Sequence, residues 1–304
     1  MDIRVLEYFL AVAREQTISG AAQALHMTQP PLSKQLKELE EELGKQLLIR
    51  GARRVTLTRE GMLLRERAQQ IVELMEKTRA EVSASGQDMA GDVYLGGGES
   101  EGMRIVAQAV RQIRREHPQV RFHFFSGDAY DVTERLDRGL IDFGTLIEPV
   151  DLSKYDSIRL PRPDIWGLLA RKDDPLAQKK AVTPEDLLGL PLILSRQQAG
   201  ENGLAGWLGY SAEKLQTAAT GNLVNTPRLL VEEGVGYALT LDELAPVGPD
   251  SPLCFLPLEP RLESWMHLVW KKYQVFSPAA ELLLQTLRQN AKEPAQSPES
   301  GEEE

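Results

Sequence analysis

The stretch from Gly20 to Gly44 constrains this chain more than any other. Gly20, Ala21 and Ala22 are followed by a turn at His26 and Met27, then by Thr28, Gln29, Pro30 and Pro31, and then by Leu32, Leu36, Leu39 and Leu43. Three small residues in one helical turn let a second helix approach closely. Adjacent prolines are tolerated in a helix only in its first turn, where their missing N–H groups have no intrahelical acceptor. A helix is therefore predicted to begin after Thr28, a cap candidate, and to run to Leu43, where Gly44 stops it. Its leucines share one face and leave Gln29, Ser33, Lys34 and Lys37 on another. Upstream, Thr17 and Ser19 are cap candidates for a short helix through Leu25. Ile3, Leu6, Phe9, Leu10 and Ala13 give an amphipathic helix to about Arg14.

Beyond Gly44, Leu47 to Ile49 and Val55 to Leu57 flank Arg50, Gly51, Ala52, Arg53 and Arg54, a pattern that predicts a small hairpin with a basic tip. Three helices and such a wing make a winged helix-turn-helix over residues 1–58. Next comes a long helical pattern through Leu64, Ala68, Ile71, Leu74 and Met75, followed by a Ser- and Gly-containing stretch from Ser83 to Gly91. Residues 59–91 are accordingly expected to be a linker helix and hinge, the helix suited to pairing with its copy in a second subunit. From Val93 onward strand and helix patterns alternate, which predicts α/β structure with a mainly parallel sheet. Two lobes are expected over 92–290, lobe one at about 92–162 and 268–290 and lobe two at about 163–267, with a cleft between them where small ligands bind. The Pro-, Ser- and Glu-rich tail, 291–304, is expected to be disordered and acidic.

A chain of 304 residues with net charge -10 does not coat nucleic acid with its whole surface. Positive charge is concentrated instead. From Leu43 to Arg59 the chain carries Lys45, Arg50, Arg53, Arg54 and Arg59 with no acid, and such a local patch suffices for phosphate contact. The start, Met1, Asp2, Ile3, Arg4, has no basic stretch leading into an apolar core, so export is not expected and a cytoplasmic protein is. One cysteine, Cys254, has no intramolecular disulfide partner, and no Cys/His cluster suggests a metal. No cofactor and no membrane partner are expected.

Ala21, Ala22, Leu25, Thr28, Gln29, Pro30, Ser33, Leu39, Glu40, Leu43, Gly44, Leu47, Arg50, Leu57, Thr58 and Gly61 together closely resemble the DNA-binding domain of LysR-type transcriptional regulators. The remainder is similar to that family's periplasmic-binding-protein-like effector domain, through Gly139, Asp142, Phe143 and Gly144 and later Val231, Gly234, Gly236, Ala238 and Leu239. Two positions depart from the pattern. Leu48 stands where a Phe is usual, which alters wing packing, and Thr240 with Leu241 replaces a Leu-Pro ending at the wall of the ligand cleft. The resemblance implies double-stranded DNA and a small-molecule effector as partners, a homodimer or homotetramer built through the linker helix, and RNA polymerase as a further candidate partner.

A recognition helix presents short polar groups to base edges. Thr28, Gln29, Pro30, Pro31, Ser33, Lys34 and Lys37 suit that role, Gln29 being able to pair with adenine and the prolines to touch thymine methyls. On the wing, Arg50, Arg53 and Arg54 would enter or flank the minor groove. By position at strand ends and helix starts, Ser100, Ser126, Thr145, Ser195, Arg196 and Asn222 are the candidates for effector binding. Glu99, beside Ser100, is unfavourable to an anion and could point away, pair with Arg196 or favour an amine. The expected function is a sequence-specific regulator controlled by an effector bound between two lobes. The alternative is a constitutive DNA-binding protein with a non-functional effector cleft. An enzyme is not expected, because His26, His117, His123 and His267 are scattered and no nucleophile-base pair is evident.

Overall fold

The computed structural model describes residues 1–51, 54–83, 89–195 and 204–291, and the chain forms two compact units, Met1–Ser85 and Gly86–Glu304. Arg53, Arg196, most of the hinge and residues 292–304 of the tail lie outside the described residues.

In the first unit, α1 (Ile3–Glu15), α2 (Ile18–Ala24) and α3 (Gln29–Leu43) precede a hairpin of β1 (Leu48–Arg50) and β2 (Val55–Leu57), and α4 (Arg59–Ser83) follows. Asp2 caps α1 by accepting from the Arg4 amide, and Thr17 caps α2 by accepting from that of Gly20. The core is the convergence the spacing predicts: Phe9 and Val12 of α1, Ala21 of α2, and Leu32 and Leu36 of α3 are fully buried together. Leu48, at the departure from the family pattern, is itself buried in this cluster. Thr28 occupies the N-cap position of α3, yet its side chain makes no capping bond. A cap hydroxyl accepts from the second or third helical amide, and here those residues are Pro30 and Pro31, which have none.

The second unit holds a nine-stranded sheet. Its first lobe has β3 (Gly91–Gly97), α5 (Met103–Glu116), β4 (Val120–Ser126), α6 (Ala129–Asp137) and β5 (Phe143–Ile147), with β3 parallel to both β4 and β5. A 17-residue strand, β6 (Tyr155–Arg171), then crosses into the second lobe. There β7 (Pro191–Leu194), α7 (Ala205–Leu208), β8 (Gln216–Thr220), α8 (Asn225–Glu232) and β9 (Tyr237–Leu241) follow, β7 lying parallel to β8 and β9. After β10 (Leu253–Pro257), β11 (Glu263–Lys271) returns between β5 and β6, and α9 (Pro278–Asn290) packs on the first lobe. Separate apolar clusters fill the lobes, one around Phe143, Leu268 and Leu283, another around Leu168, Leu192 and Leu239.

Strand periodicity alone understates two elements. The expected strand at Ile165 to Ala170 is the end of the much longer β6, and the expected strand at His267 to Trp270 begins earlier, at Glu263. The extra residues of β6, Tyr155 to Asp164, show no regular alternation in burial, whereas those of β11, Glu263 to Met266, do. β8 and β10 escaped recognition, β8 because its residues Gln216 to Thr220 are mostly exposed at the sheet's edge. The sheet is therefore mixed, the lobes joined by antiparallel β6 and β11.

Candidate functional site

The first turn of α3 and its cap hold Thr28, Gln29, Pro30 and Pro31 exposed, with Ser33 half-buried and Lys34 and Lys37 exposed one and two turns on. Because the prolines leave Thr28 nothing to cap, its hydroxyl remains at the surface beside Gln29. Lys34 pairs with Glu38 at 3.7 Å and Lys37 with Glu41 at 3.3 Å, with all four side chains largely exposed. Such pairs contribute a few tenths of a kcal/mol, about 0.3–0.5, and yield readily to a phosphate. Arg50 and Arg54 flank the wing tip, exposed.

A clasp joins the recognition helix to the wing, a role that spacing alone assigns to neither Glu40 nor Thr58. Glu40 Oε1 accepts from the Leu47 and Leu48 amides at 2.7 and 2.9 Å, and its Oε2 lies 3.9 Å from Arg50. A carboxylate late in a helix opposes the dipole, so its presence there was a signal that it serves another element. Thr58 adds a second clasp, donating to the Gln46 carbonyl at 2.8 Å while accepting from the Gly61 amide at 2.9 Å.

In the second unit a cavity of about 120 Å³ lies between the lobes. Thr145, Ser195 and Asn222 line it, as their places at strand ends predict. Ser126 and Ser100 do not. Ser126 is exposed at the end of edge strand β4, and the following Gly127 and Asp128 face the cavity in its stead. Ser100 is buried and donates to Asp164 at 2.6 Å while accepting from the Gly102 amide at 2.9 Å, so its hydroxyl is committed to holding the β3–α5 turn on crossing strand β6. Burial pushes the Asp164 carboxyl up, against the effect of that hydrogen bond.

The cavity floor is apolar, formed by Ile147, Trp166, Leu241 and Leu244 among others. Trp166 is fixed by donating from Nε1 to Ser264 at 2.7 Å. Glu99 reaches across from the first lobe and accepts from the Val224 amide, at the N-terminus of α8, at 2.7 Å. Glu148 Oε1 and His267 Nε2 lie within hydrogen-bond distance at 2.8 Å. His123 stacks on Tyr94 at 4.7 Å and bonds Asp92 at 2.7 Å.

Comparison with known proteins agrees with this division. Residues 3–62 match the family model of bacterial regulatory helix-turn-helix proteins of the lysR family, and residues 86–292 match that of the LysR substrate binding domain. The HTH-type transcriptional regulator BsdA of Bacillus subtilis is 34% identical over 206 residues, covering 66% of this chain and 69% of that protein. A hydrogen peroxide-inducible genes activator of Pectobacterium carotovorum subsp. carotovorum is 26% identical over 293 residues, covering 95% and 97%. Among solved structures, that of CbnR, a LysR family transcriptional regulator also known in complex with its target DNA, superposes with a TM-score of 0.74 at 19% identity, over 96% of this chain and 100% of CbnR.

Proposed function

The chain belongs to the LysR family of transcriptional regulators, and from that premise we propose how its own residues carry out regulation. Residues 1–58 read DNA, 59–91 connect, and 92–290 receive the effector. Thr28, Gln29, Pro30, Pro31, Ser33 and Lys34 face base edges in the major groove, while Lys37, Arg50, Arg53 and Arg54 hold phosphates or the minor groove. The observation that carries this assignment is the first turn of α3, where two prolines remove the amides that Thr28 would otherwise cap and leave its hydroxyl exposed next to Gln29.

An effector in the interlobe cavity, touching Thr145, Ser195 and Asn222, binds open and closed lobes unequally and so shifts their balance. The chain acts in the cytoplasm as a homodimer or homotetramer, with RNA polymerase a partner at its promoters. On α4, Leu63, Ile71, Leu74 and Val82 are all exposed and recur at intervals that share a helix face, which favours α4 as a seam between two copies. Thiol chemistry is a poor fit for the signal, although one relative is named for hydrogen peroxide. The chain has a single cysteine, and burial pushes the Cys254 thiol up, away from the reactive thiolate.

The test is selection of bound sequences from a random DNA pool by the full-length protein, repeated with Gln29→Ala and Lys34→Ala and with small-molecule cell extract added. A two-fold-related site, relaxed by Gln29→Ala and altered in occupancy by extract, is the expected result. Enrichment of no sequence in either condition would overturn the assignment, and a site indifferent to every extract would leave a constitutive DNA-binding protein.

A further inference from the structure

We infer that the effector of this cleft carries a protonated amine on an apolar body, an extension that rests on the cleft being the effector site. An anion entering such a cleft is ordinarily received by the free amides of a helix N-terminus. Here that seat is taken by the protein's own Glu99, whose Oε2 accepts from the Val224 amide at 2.7 Å across the gap between the lobes. Two carboxylates line the cavity with one oxygen each left over: Glu99 Oε1 and Glu148 Oε2 have no hydrogen-bond partner among the described residues, their other oxygens being used by Val224 and His267. No lysine or arginine is among the described residues lining this cavity, and Arg228, which lines the adjoining pocket beside Glu99 and Val224, is paired with Glu232.

Thr240 supplies an independent sign of a ligand. It is 7% exposed, lines the cavity, and its hydroxyl has no hydrogen-bond partner among the described residues. The residue is nearly buried while its hydroxyl is not among the sealed, unpartnered atoms, so the hydroxyl opens on the cavity, and it stands where the sequence departs from the family's Leu-Pro ending. An ammonium group donates three hydrogen bonds. Glu99, Glu148 and Thr240 offer it acceptors of the required kind, while Trp166, Leu241 and Leu244 cover an apolar body. A carboxylate in the same place meets two carboxylates of its own sign, a repulsion that grows as water is excluded.

The experiment is calorimetric titration of the full-length protein with three probes of matched shape: benzylammonium, benzyl alcohol and benzoate. Each is repeated on Glu99→Gln, whose amide oxygen still accepts from Val224 and whose folding is checked by circular dichroism. The expected order is benzylammonium tightest and benzoate weakest, with Glu99→Gln weakening benzylammonium on the order of tenfold and leaving benzyl alcohol within about twofold, as loss of a charge-assisted bond requires. Benzoate binding as tightly as benzylammonium overturns the charge assignment. So does no measurable benzylammonium binding, or a Glu99→Gln effect equal for all three probes. Occupancy of the selected DNA site that responds to cell extract while benzylammonium fails would reject the amine and keep the effector cleft. No response to extract as well would reject the cleft.

Discussion

At the scale of single residues, Glu40 and Asp92 show how one carboxylate fixes local structure. Glu40→Ala strips the acceptor from the Leu47 and Leu48 amides, and an unsatisfied buried donor costs about 1–3 kcal/mol. Urea unfolding of the N-terminal unit is expected to register a loss of that order, with DNA affinity falling beyond it because the wing loses its orientation; an unchanged midpoint would show the clasp to be idle. Asp92 belongs to the second unit. Burial alone raises its carboxyl, but Arg121 at 2.9 Å and His123 at 2.7 Å outweigh this and hold it below the ordinary 3.8. A carboxylate lowered in the folded state adds stability above its unfolded value, and that increment disappears as pH falls through the folded one. Asp92→Asn is therefore expected to lower Tm at pH 7, with the gap to the wild type closing as pH drops below 3.8. A gap that is the same at every pH would mean that packing, not charge, is lost. At this scale the cap on α2 was legible from Thr17, while the duty of Ser100 was not, because its acceptor Asp164 lies 64 residues away.

Elements are held by close approaches that particular residues permit. A Cβ on Gly61 would sit 2.2 Å from the Leu47 carbonyl oxygen, where the start of α4 presses against the strand entering the wing. Gly61→Ala forces backbone apart, and overpacking of this kind costs about 1–3 kcal/mol. Differential scanning calorimetry is expected to show the N-terminal transition lowered and the larger unit's transition unmoved; equal shifts in both would refute a local clash. The exposed apolar face of α4 gives a second expectation at this scale. Leu74→Asp should convert the assembly to a smaller species in light scattering at fixed concentration, and a mass identical to wild type would remove α4 from the seam. Helices were legible because their spacing, caps and stops are local. Strands β8 and β10 were not, since an edge strand needs only one neighbour and shows no regular alternation.

For the whole molecule, recognition and control depend on two units that the chain connects through α4 and the residues after it. If Arg54 holds a phosphate, Arg54→Ala weakens binding to all sequences alike and reduces the salt-dependence slope by about 1. A changed sequence preference with the slope intact would place Arg54 on a base instead. The sequence by itself determined the helix-turn-helix, the basic wing, the long helix and the alternating α/β remainder, because each is written in residues a few positions apart: Pro30 and Pro31 after Thr28, leucines every three or four, arginines at a hairpin tip. Only the tertiary structure decided the cleft. It joins Glu99, Glu148, Trp166, Val224 and Thr240, drawn from both lobes and the strand that crosses between them, while it engages the Ser100 hydroxyl with Asp164 and leaves Ser126 off this cavity's wall. Strand-end position identifies which residues stand near a cleft, but which hydroxyl faces it depends on partners brought in by chain crossing, and that pairing has no local signature.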